Sequence, residues 1–325
     1  MNKQLFVLCL SGAYFLGASV TLRAQSPCSD QSILDMKGSW KQHADANMKE
    51  NKDQPAINHR LDLIGEIFKA AYPQPKGMEA SWYRSMNGNP LIGNGPVPYN
   101  FNSLYQPYYC NTNFKKMMLS GETGTWAYVY VNNFGWFLSD QHDKLQLLVD
   151  GNAIYLLPQK KGEWKGQALY ETSAAPGKNH CILLTHEDRF PWKPVTQEQY
   201  LDALRKQWQE QRSKTQNFDK MTKYWDDKIA ILDNYLRQSD APTRQSPAIL
   251  NKNMAGDFKG QFSTESGGGQ LITIDPAYFN PRLPASAPQL MILLWRWDNS
   301  APAQDFKKTF EENFPIEQLK EMLDK

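Results

Sequence analysis

Apolar residues recur at helical spacing in the stretch that divides this chain, residues 196–237. Thr196 followed by Gln199 has the spacing of a capping box, which predicts a helix start, and Pro242 predicts its end. The polar run at residues 211–217 contains no Gly or Pro, so the sequence favours one long helix over a hairpin of two helices. Alternating steps of three and four residues connect the apolar positions of this seam: Leu201, Leu204, Trp208, Phe218, Trp225, Ile229, Leu232 and Leu236.

Residues 125–185 have a strand pattern, with β-branched and aromatic residues and short turns. About six antiparallel strands are expected, because the connections are too short for parallel crossovers. Asp150-Gly151 predicts a hairpin turn between two of them. Residues 25–72 have helical spacing, and residues 256–325 predict further strands and a short last helix beginning at Pro315.

These patterns predict an α+β fold. Its main domain, residues 25–240, would pack an antiparallel β-meander of about six strands with the long helix and the N-terminal helices. Residues 256–325 contain too little helix to be stable alone, so we expect them to pack on the main domain as a strand and helix extension.

The first 24 residues predict a secretory signal peptide cleaved near Ala24, because a basic start at Lys3 precedes an apolar core. The protein is therefore expected to be secreted or periplasmic and not an integral membrane protein. Removal of Lys3 and Arg23 would lower the formal charge from +2 to about zero. A near-neutral chain without a basic stripe argues against a nucleic acid partner and against an anionic membrane surface.

Three cysteines would remain after cleavage, Cys28, Cys110 and Cys181. An oxidising compartment favours one disulfide. Cys181 begins an apolar run and is expected to be a buried thiol, which leaves Cys28 and Cys110 as the predicted pair. No two of these cysteines are close neighbours and none has a His at ligand spacing, so no metal site and no cofactor are expected.

Residues 85–114 contain no Asp, Glu, Lys or Arg but many Asn and Tyr. We interpret them as an ordered irregular loop, and this composition is typical of recognition loops, in which rings give rigid contact area and amides give hydrogen bonds. A neutral ligand, a glycan or a peptide, would suit such a surface. The alternative is that the rings pack on the sheet. The candidate ligand-binding residues are Tyr99, Asn100, Asn102, Tyr105, Tyr108 and Tyr109.

The sequence contains no nucleophile elbow, phosphate loop, dinucleotide fingerprint, zinc-protease motif or calcium loop. Two clusters of acids and histidine leave weak catalytic candidates: Asp140 and His142 in one, His186 and Glu187 in the other. If the strand ends met, these groups could support a hydrolase, with or without a metal ion. Polar strand ends commonly have this composition, so a non-catalytic binding protein is the leading interpretation. A structural role, with a partner bound through the long helix, is a further alternative.

Three segments resemble uncharacterised secreted proteins of Bacteroidota: the junction Ala24-Gln25, the run Ala71-Tyr-Pro-Gln-Pro-Lys-Gly77, and Pro194-Val195-Thr196 followed by Tyr200-Leu201. The resemblance extends over most of the mature chain. It implies an envelope location and no particular activity.

Overall fold

Two β-sheets lie face to face between two layers of helices in the computed structural model of this chain. Its mixed helix and strand content confirms the α+β class. The structure describes residues 29–48, 52–86, 89–111, 113–138, 144–172, 178–186, 189–215, 218–251, 258–263 and 268–325. The predicted signal peptide lies outside these residues.

The strands, in chain order, are β1 Trp40–Gln42, β2 Met78–Ser85, β3 Tyr99–Asn111, β4 Lys116–Leu119, β5 Trp126–Val131, β6 Lys144–Val149, β7 Asn152–Leu156, β8 Lys160–Trp164, β9 Gln167–Tyr170, β10 Asn179–Leu184, β11 Trp192–Pro194, β12 Ile249–Asn251, β13 Gly268–Ile274 and β14 Met291–Arg296. The helices are α1 Asp30–Leu34, α2 Gln54–Ala71, α3 Gln197–Lys214, α4 Asp219–Gln238, α5 Ala241–Gln245, α6 Ala301–Asn313 and α7 Ile316–Lys320. A 3-10 turn covers Pro276–Tyr278.

The larger sheet has the order β1-β2-β3-β5-β14-β10-β9-β8, with β4 added to β3. Its strands are antiparallel except for β1 and β2, which run parallel. Strand β14 lies between β5 and β10 and pairs with both along its whole length. The smaller sheet has the order β11-β13-β7-β6, with β12 added to β13.

The predicted meander over residues 125–185 is therefore divided between two sheets. The β6–β7 hairpin, which turns at Asp150-Gly151 with positive φ at both residues, belongs to the smaller sheet. Strands β5, β8, β9 and β10 belong to the larger one, where a strand from the chain's last quarter separates β5 from β10. Periodicity indicates that a strand is buried, and it does not indicate which sheet the strand joins.

The side chains of β14 point alternately to its two faces, and this alternation shows how the layers of the fold are arranged. Met291, Leu293 and Trp295 face the helices α2, α6 and α7, whose core residues include Phe68 and Phe310. The alternate residues Ile292 and Leu294 face the smaller sheet and share a cluster with Ile272 and Ile274 of β13. The far face of the smaller sheet is covered by α3 and α4, which contribute Leu201, Leu204, Trp208 and Leu232.

The prediction of one long helix over residues 196–237 is wrong. Helix α3 begins with the predicted capping box of Thr196 and Gln199, but it ends at Lys214, and α4 returns antiparallel beside it. Ion pairs between the two helices join Arg205 to Asp233 at 2.6 Å and Arg212 to Asp226. A single helix would be about 60 Å long, whereas the smaller sheet is about 20 Å across. Only a hairpin brings both halves of the seam back to the same sheet.

Three further expectations are corrected. The uncharged stretch at residues 85–114 is not a loop throughout, because β3 occupies Tyr99–Asn111. The N-terminal region is not wholly helical, since β1 follows the short α1. In the C-terminal region the strand pattern at residues 258–263 predicts one of the further strands, but these residues form none. Helix α6 lies outside the predicted elements, although Ser300 caps its start and Phe306 and Phe310 lie four residues apart.

Candidate functional site

Four of the six predicted ligand-binding residues are core residues of β3. Tyr99 and Tyr105 are fully buried, and Asn100 and Asn102 are nearly so. Tyr99 Oη donates to the Ser286 carbonyl oxygen at 2.9 Å, and Asn102 Nδ2 donates to Ser85 Oγ at 2.9 Å. Their burial contradicts the prediction that they form a ligand surface.

Tyr108 and Tyr109 lie beyond this core, near the end of β3. Tyr108 Oη donates to Glu79 Oε1 at 2.6 Å, and partial burial together with this carboxylate raises the pKa of Tyr108 to about 12. Desolvation would raise the pKa of Glu79, but hydrogen bonds from Tyr108 and Ser39 outweigh it and lower that pKa. Lys41 Nζ lies 3.5 Å from the same carboxylate. Tyr109 remains 42% exposed.

Of the four predicted catalytic residues, His186 alone lies among the residues that the structure describes. His186 Nε2 lies 3.0 Å from Asp324 Oδ1, and its ring packs against Tyr278. Asp140, His142 and Glu187 lie outside the described residues. Within the ranges that the structure covers, no three His, Cys, Asp or Glu side chains are placed to hold a metal ion. The hydrolase prediction therefore stays a prediction.

Two of the three cysteines in the prediction, Cys110 and Cys181, lie among the described residues. Cys110 is disulfide-bonded, and Cys181 is a free thiol with no exposed surface. Burial raises the pKa of the Cys181 thiol. Cys28 lies outside the described residues, so the pairing of Cys28 with Cys110 stays a prediction.

A groove of about 720 Å³ runs between α2 and the C-terminal segment that contains α7. This volume lies in the range of small-ligand sites, about 300–1,000 Å³. Its floor is apolar and its rims carry both signs of charge. It is lined by Ala56, His59, Arg60, Leu63, Glu66, Ile67, Ala70, Gln318, Glu321, Met322 and Lys325.

Helix α2 explains why the groove exists. One stripe of the helix, which includes Leu61, Ile64 and Phe68, is buried against the larger sheet. A second stripe, spaced by three and four residues from Ala56 to Ala70, lines the groove. Leu63 on this stripe is 44% exposed. The apolar arc of α2 is therefore wider than the core requires, and the sequence signal that could have shown this is Leu63, which lies outside the buried stripe.

Arg60 fixes one end of the groove. Its Nη2 donates to the Lys325 backbone oxygen at 2.5 Å, and its Nη1 donates to Ser286 Oγ at 3.4 Å. Glu66, also on α2, pairs with Lys69 of the same helix at 2.8 Å. Arg60 therefore ties α2 to the C-terminal segment, and the mixed charges of the lining give the groove no field of one sign.

A second, shallower groove of about 580 Å³ lies along α6 beside Trp164. Glu311 on this helix accepts from His180 Nδ1 at 2.8 Å and from Trp295 Nε1 at 2.9 Å. Desolvation opposes ionisation of Glu311, but these two hydrogen bonds outweigh it and lower the pKa of the carboxyl. The Glu311 Oε1 atom is thus occupied by internal donors, which is the arrangement of a structural anchor.

No transmembrane helix is present in the part of the chain that the structure describes, since none is long and apolar enough to cross a bilayer. Comparisons with protein families, with curated proteins and with solved structures each found no match.

Proposed function

We propose that this chain is a secreted or periplasmic, non-catalytic binding protein whose groove between α2 and α7 takes an uncharged peptide segment with aliphatic side chains. The observation that carries the proposal is the apolar floor of this groove, which the half-exposed Leu63 forms with the partly buried Met322 and the buried Ile67. The expected signal peptide and the disulfide at Cys110 support the compartment.

The lining favours a peptide over a glycan. Sugar rings are commonly recognised by flat aromatic side chains, and the lining of this groove contains no Phe, Tyr or Trp. Aliphatic floor residues instead suit Leu, Ile, Val or Met side chains of a ligand. His59 and Gln318 lie on the rim, where they can hydrogen-bond to peptide backbone groups.

The geometry also sets a length. From Ala56 to Ala70 the groove follows α2 for about 21 Å at 1.5 Å per residue. An extended peptide rises about 3.3 Å per residue, so about six ligand residues fit along it. Alternate side chains of such a peptide would point to the floor, which predicts a ligand pattern of aliphatic residues at every second position.

The proposal is tested by selecting binders from a displayed library of seven-residue peptides and measuring their affinity by calorimetry. Leu63→Asp places a charge on the apolar floor and is expected to weaken binding about tenfold or more. Leu148→Asp is the matched control, because Leu148 is an exposed leucine, 62% accessible, on β6 of the other sheet. It should leave binding unchanged.

Three results would contradict the proposal. The library could yield no binder with aliphatic residues, Leu63→Asp could bind selected peptides as tightly as the parent protein, or Leu148→Asp could weaken binding as much as Leu63→Asp. Because Leu63 is half-exposed, its replacement is expected to leave the fold intact. An unchanged circular dichroism spectrum checks this.

A further inference from the structure

The hairpin formed by the end of β3 and by β4, residues 108–119, extends past the larger sheet as a two-stranded ribbon. Pairing between β2 and β3 ends at Met78 and Pro107. A last bond joins Tyr108 N to the Gly77 carbonyl oxygen, and residues 108–111 pair with β4 on the other side. Among the described strands, β4 pairs with β3 and with no other. We refer to residues 108–119 as the β3–β4 ribbon.

The ribbon exposes large apolar side chains. Phe114 at its turn is 74% exposed, the highest value among the exposed large hydrophobic residues in the described ranges. Tyr109 and Met118, 42% and 38% exposed, are cross-strand partners on the face opposite Cys110. Leu119, 39% exposed, pairs with Tyr108 at the base of the ribbon and lies on the other face. A soluble protein rarely groups such residues at one projecting end without a partner for them.

The turn is built to hold Phe114 outward. Asn111 Oδ1 accepts from the backbone N–H groups of Asn113 and Phe114, at 3.1 and 3.2 Å. Lys115 follows in the left-handed region at φ 48°. The disulfide at Cys110 further restrains the ribbon.

The charge of the ribbon is purely positive. Lys115 and Lys116 are the sole charged residues between Arg84 and Glu122 in the sequence. Neither has an ion-pair partner among the residues that the structure describes. At the base of the ribbon the carboxylate of Glu79 is already bound by Tyr108, Ser39 and Lys41. The two ammonium groups therefore complement an anionic surface.

We propose that the β3–β4 ribbon inserts into the surface of a phospholipid bilayer that contains anionic lipid. Phe114, Tyr109 and Met118 enter the boundary between headgroups and acyl chains, where aromatic and aliphatic side chains are stable, and Lys115 and Lys116 contact lipid phosphates. A convex tip suits a deformable lipid surface, whereas a protein partner would need a pocket shaped to receive Phe114.

The near-zero charge expected for the whole mature chain argues only against long-range attraction to a membrane by a broad basic field. Such a field acts over distances near the Debye length of about 8–10 Å. The β3–β4 ribbon acts at contact through local insertion, and it concentrates two cations and three exposed apolar side chains between residues 109 and 118. Binding is therefore expected to be weak, reversible and dependent on both lipid charge and lipid packing.

The test is sedimentation of the full mature protein with vesicles of phosphatidylethanolamine and phosphatidylglycerol, compared with phosphatidylcholine alone. The parent protein should bind the anionic vesicles more tightly. Phe114→Asp should weaken binding to both by about tenfold or more. Replacement of Lys115 and Lys116 by Ala should weaken binding to the anionic vesicles about 25-fold, about fivefold for each lysine, and should change binding to phosphatidylcholine little.

The matched control uses the turn between α3 and α4. Phe218 there is 65% exposed and Lys220 is also exposed, so Phe218→Asp and Lys220→Ala make similar changes at another projecting turn. Both should bind vesicles like the parent. The proposal is overturned if the parent does not bind anionic vesicles, if the Phe114 or lysine variants bind unchanged, or if the Phe218 variant loses as much. A dimer in sedimentation velocity that Phe114→Asp dissociates would assign the ribbon to a second copy of the chain instead.

Discussion

Glu311 joins three elements through one carboxylate. It lies on α6 and accepts from His180 of β10 and from Trp295 of β14, so a single side chain fixes the helix on the centre of the larger sheet. Trp164 Nε1 adds a bond to the backbone oxygen of the same residue at 3.2 Å. Because these donors favour the ionised form, the folded protein binds a proton at Glu311 more weakly than the unfolded chain does.

A pH dependence of stability follows. The ordinary pKa of this carboxyl is 4.5, and its folded pKa is lower, so its contribution is complete above about pH 4.5 and is lost as the pH falls through the folded pKa. Glu311→Gln should lower the unfolding free energy at pH 7. It should also make the unfolding free energy fall less steeply as the pH decreases below about 4.5. Urea unfolding from about pH 7 to about pH 3 measures both. Glu122→Gln, at an exposed residue, is the control and should leave the pH dependence of the unfolding free energy unchanged.

Cys181 gives a second prediction at the residue scale. Its thiol has no exposed surface and lies between the two sheets, and burial raises its pKa. A thiol reagent should therefore not label it in the folded protein, and its labelling rate in dilute denaturant should follow global unfolding. Labelling by a small thiol reagent followed by mass spectrometry provides the measurement. Rapid labelling under native conditions would contradict the buried position.

In the hairpin of α3 and α4, a buried residue and an exposed residue occupy neighbouring positions on α4. Leu232 is fully buried against the smaller sheet, whereas Ile231 is 40% exposed. Leu232→Ala should lower the unfolding free energy by about 2–5 kcal/mol, because it removes core contacts and leaves a cavity. Ile231→Ala should cost less than about 1 kcal/mol. Equal losses in chemical denaturation would show that α4 does not pack as described.

The same hairpin shows which structural features a local sequence pattern can predict and which it cannot. The capping box at Thr196 was predictable, since a cap depends on residues three positions apart. The break after Lys214 was not, because it depends on the size of the sheet that α3 covers and on a new contact in which the Lys228 ammonium lies 4.8 Å from the Trp208 ring. Both causes are tertiary, and local spacing contains neither.

The candidate binding residues failed for a related reason. Asn and Tyr in residues 99–105 have the composition of a recognition loop, but β3 pairs with strands on both sides and its amides bond inward, as Asn102 does to Ser85. Composition reports which contacts a side chain can make and not whether they face solvent. The groove between α2 and α7 lacked a prediction because it forms where residues about 260 positions apart meet.

For the whole molecule, the position of β14 makes the C-terminal quarter part of the main fold. The strand lies between β5 and β10, and the α6 residues Phe306 and Phe310 cover the same sheet. A chain that ends at residue 257 should therefore fail to form either sheet and should remain unfolded or aggregate. Circular dichroism and near-ultraviolet spectra test this. A native-like spectrum from the shortened chain would show that residues 258–325 are an appended unit.

The central position of β14 also determines when the larger sheet can be completed during synthesis of the chain. A ribosome synthesises residues 291–296 only after the 290 residues that precede them, so β5 and β10 emerge long before the strand that must join them. Until then both present unpaired edges, which are templates for aggregation. Pairing across 160 or more positions, as between Val131 and Met291, also makes a high contact order, typical of domains that fold in milliseconds to seconds. A nascent chain of this protein therefore has an inherent delay before folding, an interval in which a holding chaperone or a translocation channel would meet it still extended.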